Sequence, residues 1–420
     1  MTGALGKILK GKSGKDYLST DHIQGDLKGR TIRSSSITLI SRIAIFVLQM
    51  ASTAILARLL VPADFGLISM VLVVVGFAEM FKDAGLSMST VQRAEVTHEQ
   101  ISTLFWINFA LSTGLMLAIA ASSPLVAWFY GEPRLLEITL LVSSSFLFSG
   151  LSIQHRALLR RQMLFGNIAV INVVSMAFGV CVGVGMAVQG FGYWSLVGMH
   201  VSKPIMSLVL MWTVCDWRPG LPRRNTGVRP MLSFGANLTI SKFLIHCTRN
   251  LDNLLIGAFC GAGPLGFYTK AYRLLMMPIN ELNAPVTSAA VPALSRLQND
   301  PEQFRRFYMK GISYLTFFGM PMVVFSFIAA EEIIRIVLGP GWEESVTIFR
   351  LLTPAAFIGT INVATGWIFI PLGKADKQVK EVLFGSIVII VFLFVGIKWG
   401  ALGVAVAFSC SQIIIKLPQL

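Results

Sequence analysis

Charge is scarce in this chain. Only 13% of its 420 residues are Asp, Glu, Lys or Arg, about half of what a water-facing surface of this size carries. That excludes an ordinary soluble protein, although the length alone would suit two or three soluble domains. Cysteine is also sparse. Cys181, Cys215, Cys247, Cys260 and Cys410 are scattered with no CxxC spacing, so they read as small apolar residues rather than disulfides or metal ligands. The five histidines are dispersed. There is no HExxH or GxSxG. Asp83, Glu95 and Glu99 lack a DxD partner and read as a solvated loop face. No catalytic residue, metal site or cofactor emerges, and the chain is expected to be a non-enzyme.

What the chain has instead is apolar sequence. Hydrophobic residues make up 54% and the mean hydropathy is +0.70. A membrane helix takes about 20 residues. Apolar stretches fall near 37–59, 65–82, 101–121, 135–154, 168–188 and 193–214. After a basic, Pro/Gly-rich break they resume near 234–260, 267–292, 312–330, 346–371, 381–397 and 400–417. The expected fold is therefore all-α, a polytopic membrane protein of about twelve transmembrane helices. The organisation reads as a basic cytoplasmic tail (1–33), a six-helix bundle (34–215), a cytoplasmic linker (216–233) and a second six-helix bundle (234–420). The tail has no apolar core segment ahead of it, so it is not read as a cleaved signal peptide.

The net charge of +14 would suggest nucleic acid in a soluble chain. Here it follows topology. With the N-terminal tail inside, the inner loops and tails hold 24 basic residues and the outer loops only Arg134, Arg335 and Lys398. This split obeys the positive-inside rule. It places both termini in the cytoplasm and removes nucleic acid as a partner.

An internal repeat is expected from near-constant offsets. Ile40-Ser41-Arg42 lies over Ile240-Ser241-Lys242 and Phe65-Gly66 over Leu265-Gly266 at a shift of 200, and Gly192 lies over Gly400 at 208. Six spans is an even number, so the two copies share one orientation. Transporters with such repeats hold their substrate in a central cavity between the halves.

Eight basic residues fall inside proposed spans: Arg42, Arg58, Lys203, Lys242, Arg249, Lys270, Arg273 and Arg350. A charge near mid-bilayer costs at least about 2.5 kcal/mol on insertion scales, so it faces a cavity or a partner unless it reaches the headgroups. Lys242, His246, Arg249 and Asn253 stand at i, i+4, i+7 and i+11, within about 60° of arc on one continuous helix. Asp252 is placed to pair with Arg249. Lys270, Arg273 and Glu281 share a side of the next span. There Lys270 is expected to snorkel outward, and Pro278, Pro285 and Pro292 are expected to break the helix. Lys203, before Pro204, is a further mid-span cation, whereas Arg350 lies near an end. Arg156 to Met163 is expected to lie at the inner headgroup surface, and 331–345 to form the longest outer loop. Summed, the interior is cationic, and it suits an anionic group such as phosphate or pyrophosphate, for which arginine offers paired donors. Arg42 and Lys242 read as a quasi-symmetric gate, and Asp252, Glu281 and His246 as tuning or coupling groups.

Three segments carry a family resemblance: Leu56-Ala-Arg-Leu-Leu-Val-Pro-Ala-Asp-Phe-Gly66; Arg249-Asn-Leu-Asp-Asn-Leu-Leu-Ile-Gly257 with Gly263-Pro-Leu-Gly-Phe-Tyr-Thr-Lys-Ala-Tyr-Arg-Leu274; and Pro292-Ala-Leu-Ser-Arg-Leu-Gln298. They resemble the Wzx-type lipid-linked oligosaccharide flippases and polysaccharide exporters of the multidrug/oligosaccharidyl-lipid/polysaccharide (MOP) superfamily, in the exopolysaccharide and colanic-acid branch. The resemblance implies alternating access through a cationic cavity, driven by a coupling ion (proton or sodium) or the membrane potential. It implies flipping of an undecaprenyl-pyrophosphate-linked oligosaccharide across the bacterial inner membrane, among membrane lipids and beside a polysaccharide polymerase and chain-length machinery. Many relatives run to fourteen spans, whereas this chain stops after twelve. Two alternatives stay open: a drug/cation antiporter of the same superfamily, disfavoured by the sign of the cavity, and a membrane polymerase or ligase, disfavoured by short outer loops.

Overall fold

The computed structural model describes residues 27–82, 86–93, 96–222, 250–369, 371–372 and 375–416. By contacts these fall into two compact units, one of residues up to Leu60 with Val71–His246, the other of Val61–Met70 with Cys247–Leu420. All regular structure among the described residues is helical. Nine helical segments there are long and apolar enough to cross a membrane. One of them, Lys380–Lys416, contains two spans folded at Gly400, whose φ of +69° suits glycine.

The first six spans are α1 (Leu27–Leu59), α2 (Pro62–Glu79), α4 (His98–Tyr130), the α5–α6 pair (Arg134–Ser143 and Ser145–Arg161), α7 (Phe165–Val188) and α8 (Trp194–Val214). A short α3 (Leu86–Gln92) follows the second span. The second set runs α9 (Leu251–Cys260), ten described residues in the place of a first span, then α10 (Ala262–Arg296), α11 (Pro301–Ile328), α13–α14 (Glu343–Asn362 and Gly366–Phe369), α15 (Ala375–Gly396) and α16 (Gly400–Lys416), with a short α12 (Ala330–Val337) between α11 and α13. Starts are marked locally. Thr97 and Gln100 form a reciprocal capping box at α4, and Asp300 caps α11 ahead of Pro301.

Within each unit the packing order repeats. In both, the third span packs on the fourth, the fourth on the sixth and the fifth on the sixth. Burial repeats as well. Leu135, Ile138, Thr139, Val142 and Ser143 are buried in the first copy, and Ser345, Ile348, Phe349, Leu352 and Thr353 in the second. The offset there is 210. Gly131 and Gly341, at the same offset, both have positive φ (65° and 85°). In the third span the offset is still 200, where buried Ser123 and Val126 match buried Val323 and Ser326. The step from 200 to 210 is α12. Its Ala330 and Ile334 are buried while Ile336 is exposed, so it is an inserted amphipathic helix of about two turns. It takes the place of part of the outer loop expected at 331–345.

Two further expectations are corrected. Pro278, Pro285 and Pro292 lie inside one 35-residue helix, α10, rather than breaking it; helices in apolar surroundings accommodate such residues when neighbours re-satisfy the freed carbonyls. The basic stretch 156–161 is not a surface segment. It is the end of α6, with Ala157, Leu158 and Leu159 fully buried and Arg161 only 5% exposed. The Arg161 guanidinium donates to the carbonyls of Thr90 and Arg93, so it ties α6 to the end of α3.

Candidate functional site

The second unit holds most of the described candidates. α9 begins at Leu251 with Asn250 as its cap residue at φ −118°, ψ 6°. The helical register that aligned Asn253 with 242, 246 and 249 therefore does not run through Asn250. Lys242, His246 and Arg249 themselves lie outside the described residues. Asp252 occupies the first turn of α9, where a carboxylate meets the positive end of the helix. It is 5% exposed. Its Oδ1 accepts from the Asn253 backbone N–H at 2.8 Å, and its Oδ2 accepts from the Tyr268 hydroxyl at 2.8 Å. Both carboxylate oxygens are thus engaged, which a buried carboxylate requires.

Tyr268 is fully buried on α10. It stacks on Tyr272 one turn later (centroids 6.2 Å apart, planes at 15°), and Tyr272 meets the edge of Phe408 on α16. Asn253 is half-buried with its side-chain oxygen unpartnered.

Lys270 overturns the snorkelling expectation. It is 8% exposed, and its ammonium sits 3.7 Å from the centroid of Phe65. Phe65 in turn is held edge-on by Trp342 at 5.5 Å, which also packs on Phe267. A cation over a desolvated aromatic face is attracted by the ring quadrupole, and this offsets part of the cost of leaving water. Arg273, three residues on, is exposed, as is Glu281. Neither Lys270 nor Arg273 has an ion-pair partner among the described residues. α10 therefore carries two cations within one turn of each other that have no ion-pair partner among the described residues.

Repeat mates meet directly at the start of α10. A β-carbon on Gly66 would strike the Ala262 carbonyl, and one on Gly266 would strike that of Pro62. Ser69 donates to Thr269 at 3.4 Å. Residues 62–69 and 262–269 thus cross at equivalent positions, and only glycine permits so close an approach.

In the first unit, Arg42 is exposed on α1 and Lys203 exposed on α8. α1 packs on α7 and α7 on α8, with Gly179 of α7 against Lys203, whose Cβ lies 3.3 Å from a β-carbon placed there. Among the described residues, no group of three or more His, Cys, Asp or Glu side chains is placed to hold a metal ion. Sequence reasoning missed Phe65, Tyr268 and the burial of Lys270. Tyr268 stands 16 residues from its carboxylate partner, a spacing that no helical periodicity signals.

Against known proteins, a sequence profile described as polysaccharide biosynthesis protein matches residues 55–347. The chain belongs to the polysaccharide biosynthesis protein family. Among its relatives is the lipopolysaccharide biosynthesis protein WzxC of Escherichia coli K12, 26% identical over 391 residues, which are 92% of this chain and 80% of that protein. Among solved structures, the lipid II flippase MurJ in its inward closed conformation is similar with a TM-score of 0.72 at 16% identity, over 92% of this chain and 86% of that one. A multidrug resistance MATE family transporter of the MOP superfamily is similar with a TM-score of 0.66 at 14% identity, over 90% of this chain and 96% of that one. This family member is a multi-pass membrane protein of about twelve helices with the MOP fold.

Proposed function

We propose that this protein moves an undecaprenyl-pyrophosphate-linked oligosaccharide from the inner to the outer leaflet of a bacterial inner membrane, with both termini in the cytoplasm. Family membership and the names of its relatives support polysaccharide biosynthesis and lipid-linked cargo. The observation that carries the anionic cargo is the pair of unneutralised cations on α10, Lys270 and Arg273. A guanidinium offers paired donors to phosphate oxygens, and an ammonium adds a point charge. Arg249 and Arg273 contact the headgroup, and Lys242, Arg42, Lys203 and Asn253 line its route. Asp252, Glu281 and His246 tune or couple transport to a proton or sodium gradient. A polymerase acts next on the flipped unit.

The test is export of the cell's glycan in variants of normal abundance. Arg249→Gln combined with Arg273→Gln abolishes export on this reading. Undiminished export in that double variant sinks it. Because the fold is shared with a multidrug transporter, the same purified protein is assayed in vesicles for a fluorescent organic cation. Accumulation of the cation would move the assignment to a drug antiporter.

A further inference from the structure

Two neighbouring spans of the first unit bury polar side chains that no protein group answers. α4 carries Asn108 and Ser112 one turn apart. α6 packs against it and carries Gly150 and Gln154 one turn apart. The three polar residues have zero exposed surface. A β-carbon built on Gly150 would lie 2.5 Å from Ser112 Oγ and 3.4 Å from the Asn108 carbonyl oxygen. The Phe105 and His155 rings meet at 6.1 Å. These two contacts make the helices antiparallel, so Gln154 comes level with Asn108. The Gln154 Oε1 accepts from Thr90 Oγ1 at 3.1 Å, which leaves its Nε2 on the other side of the amide. That Nε2, both amide atoms of Asn108 and the Ser112 hydroxyl make no hydrogen bond among the described residues.

A buried amide without a partner is costly, and more so in a bilayer where stray water is absent. Nor does the fold demand polarity here. The matching positions of the second copy are Tyr308 and Ile312 at offset 200, and Thr360 and Ala364 at offset 210. There Tyr308 and Ile312 pack against an apolar core that includes Ala364, Leu315 and Trp367.

We infer that the Asn108–Ser112–Gln154 seam encloses ordered water. The unanswered groups are mixed: two amide N–H2 donors, one amide oxygen acceptor and a hydroxyl that serves as both. A cation would satisfy only the oxygens and repel the N–H2 groups; an anion would do the reverse. Water donates and accepts, makes about three hydrogen bonds per molecule, and matches a set with no formal charge. At Gly150 the two helices touch, a β-carbon there meeting the Ser112 Cβ and Oγ at 2.5 Å, so the water lies one turn along, between the Asn108 and Gln154 amides. The seam belongs to the first unit alone and is separate from the cations of α10, so it stands whatever the cargo.

Hydroxyl-radical footprinting of the purified full chain by synchrotron radiolysis reads this directly, because enclosed water generates radicals beside the residues that hold it. Phe105 and Phe146 flank the seam at 3% and 1% exposure. Both are expected to oxidise at millisecond doses, while the equally buried Phe349 of the second unit does not. In an Asn108→Leu, Gln154→Leu variant the two signals fall by about fivefold or more, as the partners that hold the water are gone. Ser112→Ala, a smaller change that leaves packing intact, lowers them in the same direction if the double variant fails to fold. Labelling of Phe105 and Phe146 no greater than that of Phe349 overturns the inference. So does a rise in Tm with sodium over choline, or with chloride over gluconate, that Ser112→Ala abolishes; that result replaces water with an ion.

Discussion

Where the second span of the first repeat carries Met70 and Val73, both buried, the second repeat carries Lys270 and Arg273 at the same offset. The third and fourth spans differ in the opposite sense. The first copy buries Asn108, Ser112 and Gln154, and the second fills the matching space with Tyr308, Ile312 and Ala364. Yet the order of helix packing and the buried positions of the fourth span coincide. The lesson is that duplicated bundles conserve which surfaces meet, because shape and volume must match. The chemistry of the side chains on those surfaces is free to diverge. Cationic side chains stand on one copy, and neutral polar burial on the other.

The largest expected effect comes from erasing that asymmetry. Replacing Lys270→Met and Arg273→Val gives α10 the side chains of the first repeat, and glycan export is expected to fall by about tenfold or more, as charge-assisted contacts to phosphate are lost. Quantitative surface-glycan staining at matched protein levels checks it; retained export would mean that the cations are structural.

Next is the aromatic packing peculiar to the second unit. Trp342 is 1% exposed against Phe65 and Phe267, whereas the equivalent position at offset 210 is Glu132. Trp342→Ala is expected to cost about 3–5 kcal/mol, seen as a drop in Tm in detergent.

A smaller effect separates two glycines of α10. Gly266→Ala drives a methyl into the Pro62 carbonyl and costs about 1–3 kcal/mol by overpacking. Gly263→Ala meets nothing within 4 Å and is expected to stabilise by about 0.5–1 kcal/mol. Thermal unfolding of the two variants side by side tests whether the crossing of repeat mates is as tight as described.

The smallest effect is at the turn between α4 and α5 of the first unit. Glu132 takes two hydrogen bonds of 2.8 Å from the Arg134 guanidinium, and that contact holds its carboxyl below the usual carboxylate range. A lowered folded-state value means the pair stabilises above the unfolded value, near about 4.3, and the contribution is lost as pH falls through the folded one. Glu132→Gln is therefore expected to lower Tm slightly at pH 7 and not at pH 3. A difference that persists in acid would assign the effect to packing.

Much of this was legible beforehand. Twelve apolar stretches and the 200-residue offset of Phe65-Gly66 follow from composition and spacing, because a bilayer demands apolar helices of set length. The candidate site was legible only in part. Arg273 and Glu281 stand exposed on α10, but the partner of Asp252 is Tyr268, and Lys270 turns inward onto Phe65. Such pairings join residues 16 or 205 positions apart, and helical spacing speaks only of neighbours within a few turns. The cap at Asn250 was equally hidden, since an apolar run gives no signal of where a helix begins.

By itself, then, the sequence determined the class of the protein and its approximate count of spans. These are additive properties of residue type along the chain. Only the tertiary structure decided which glycines bring repeat mates into contact, which lysine is buried and which polar residues lie unanswered between helices. Those depend on what each side chain meets across the bundle, and burial in a low-dielectric interior is what turns such meetings into energy.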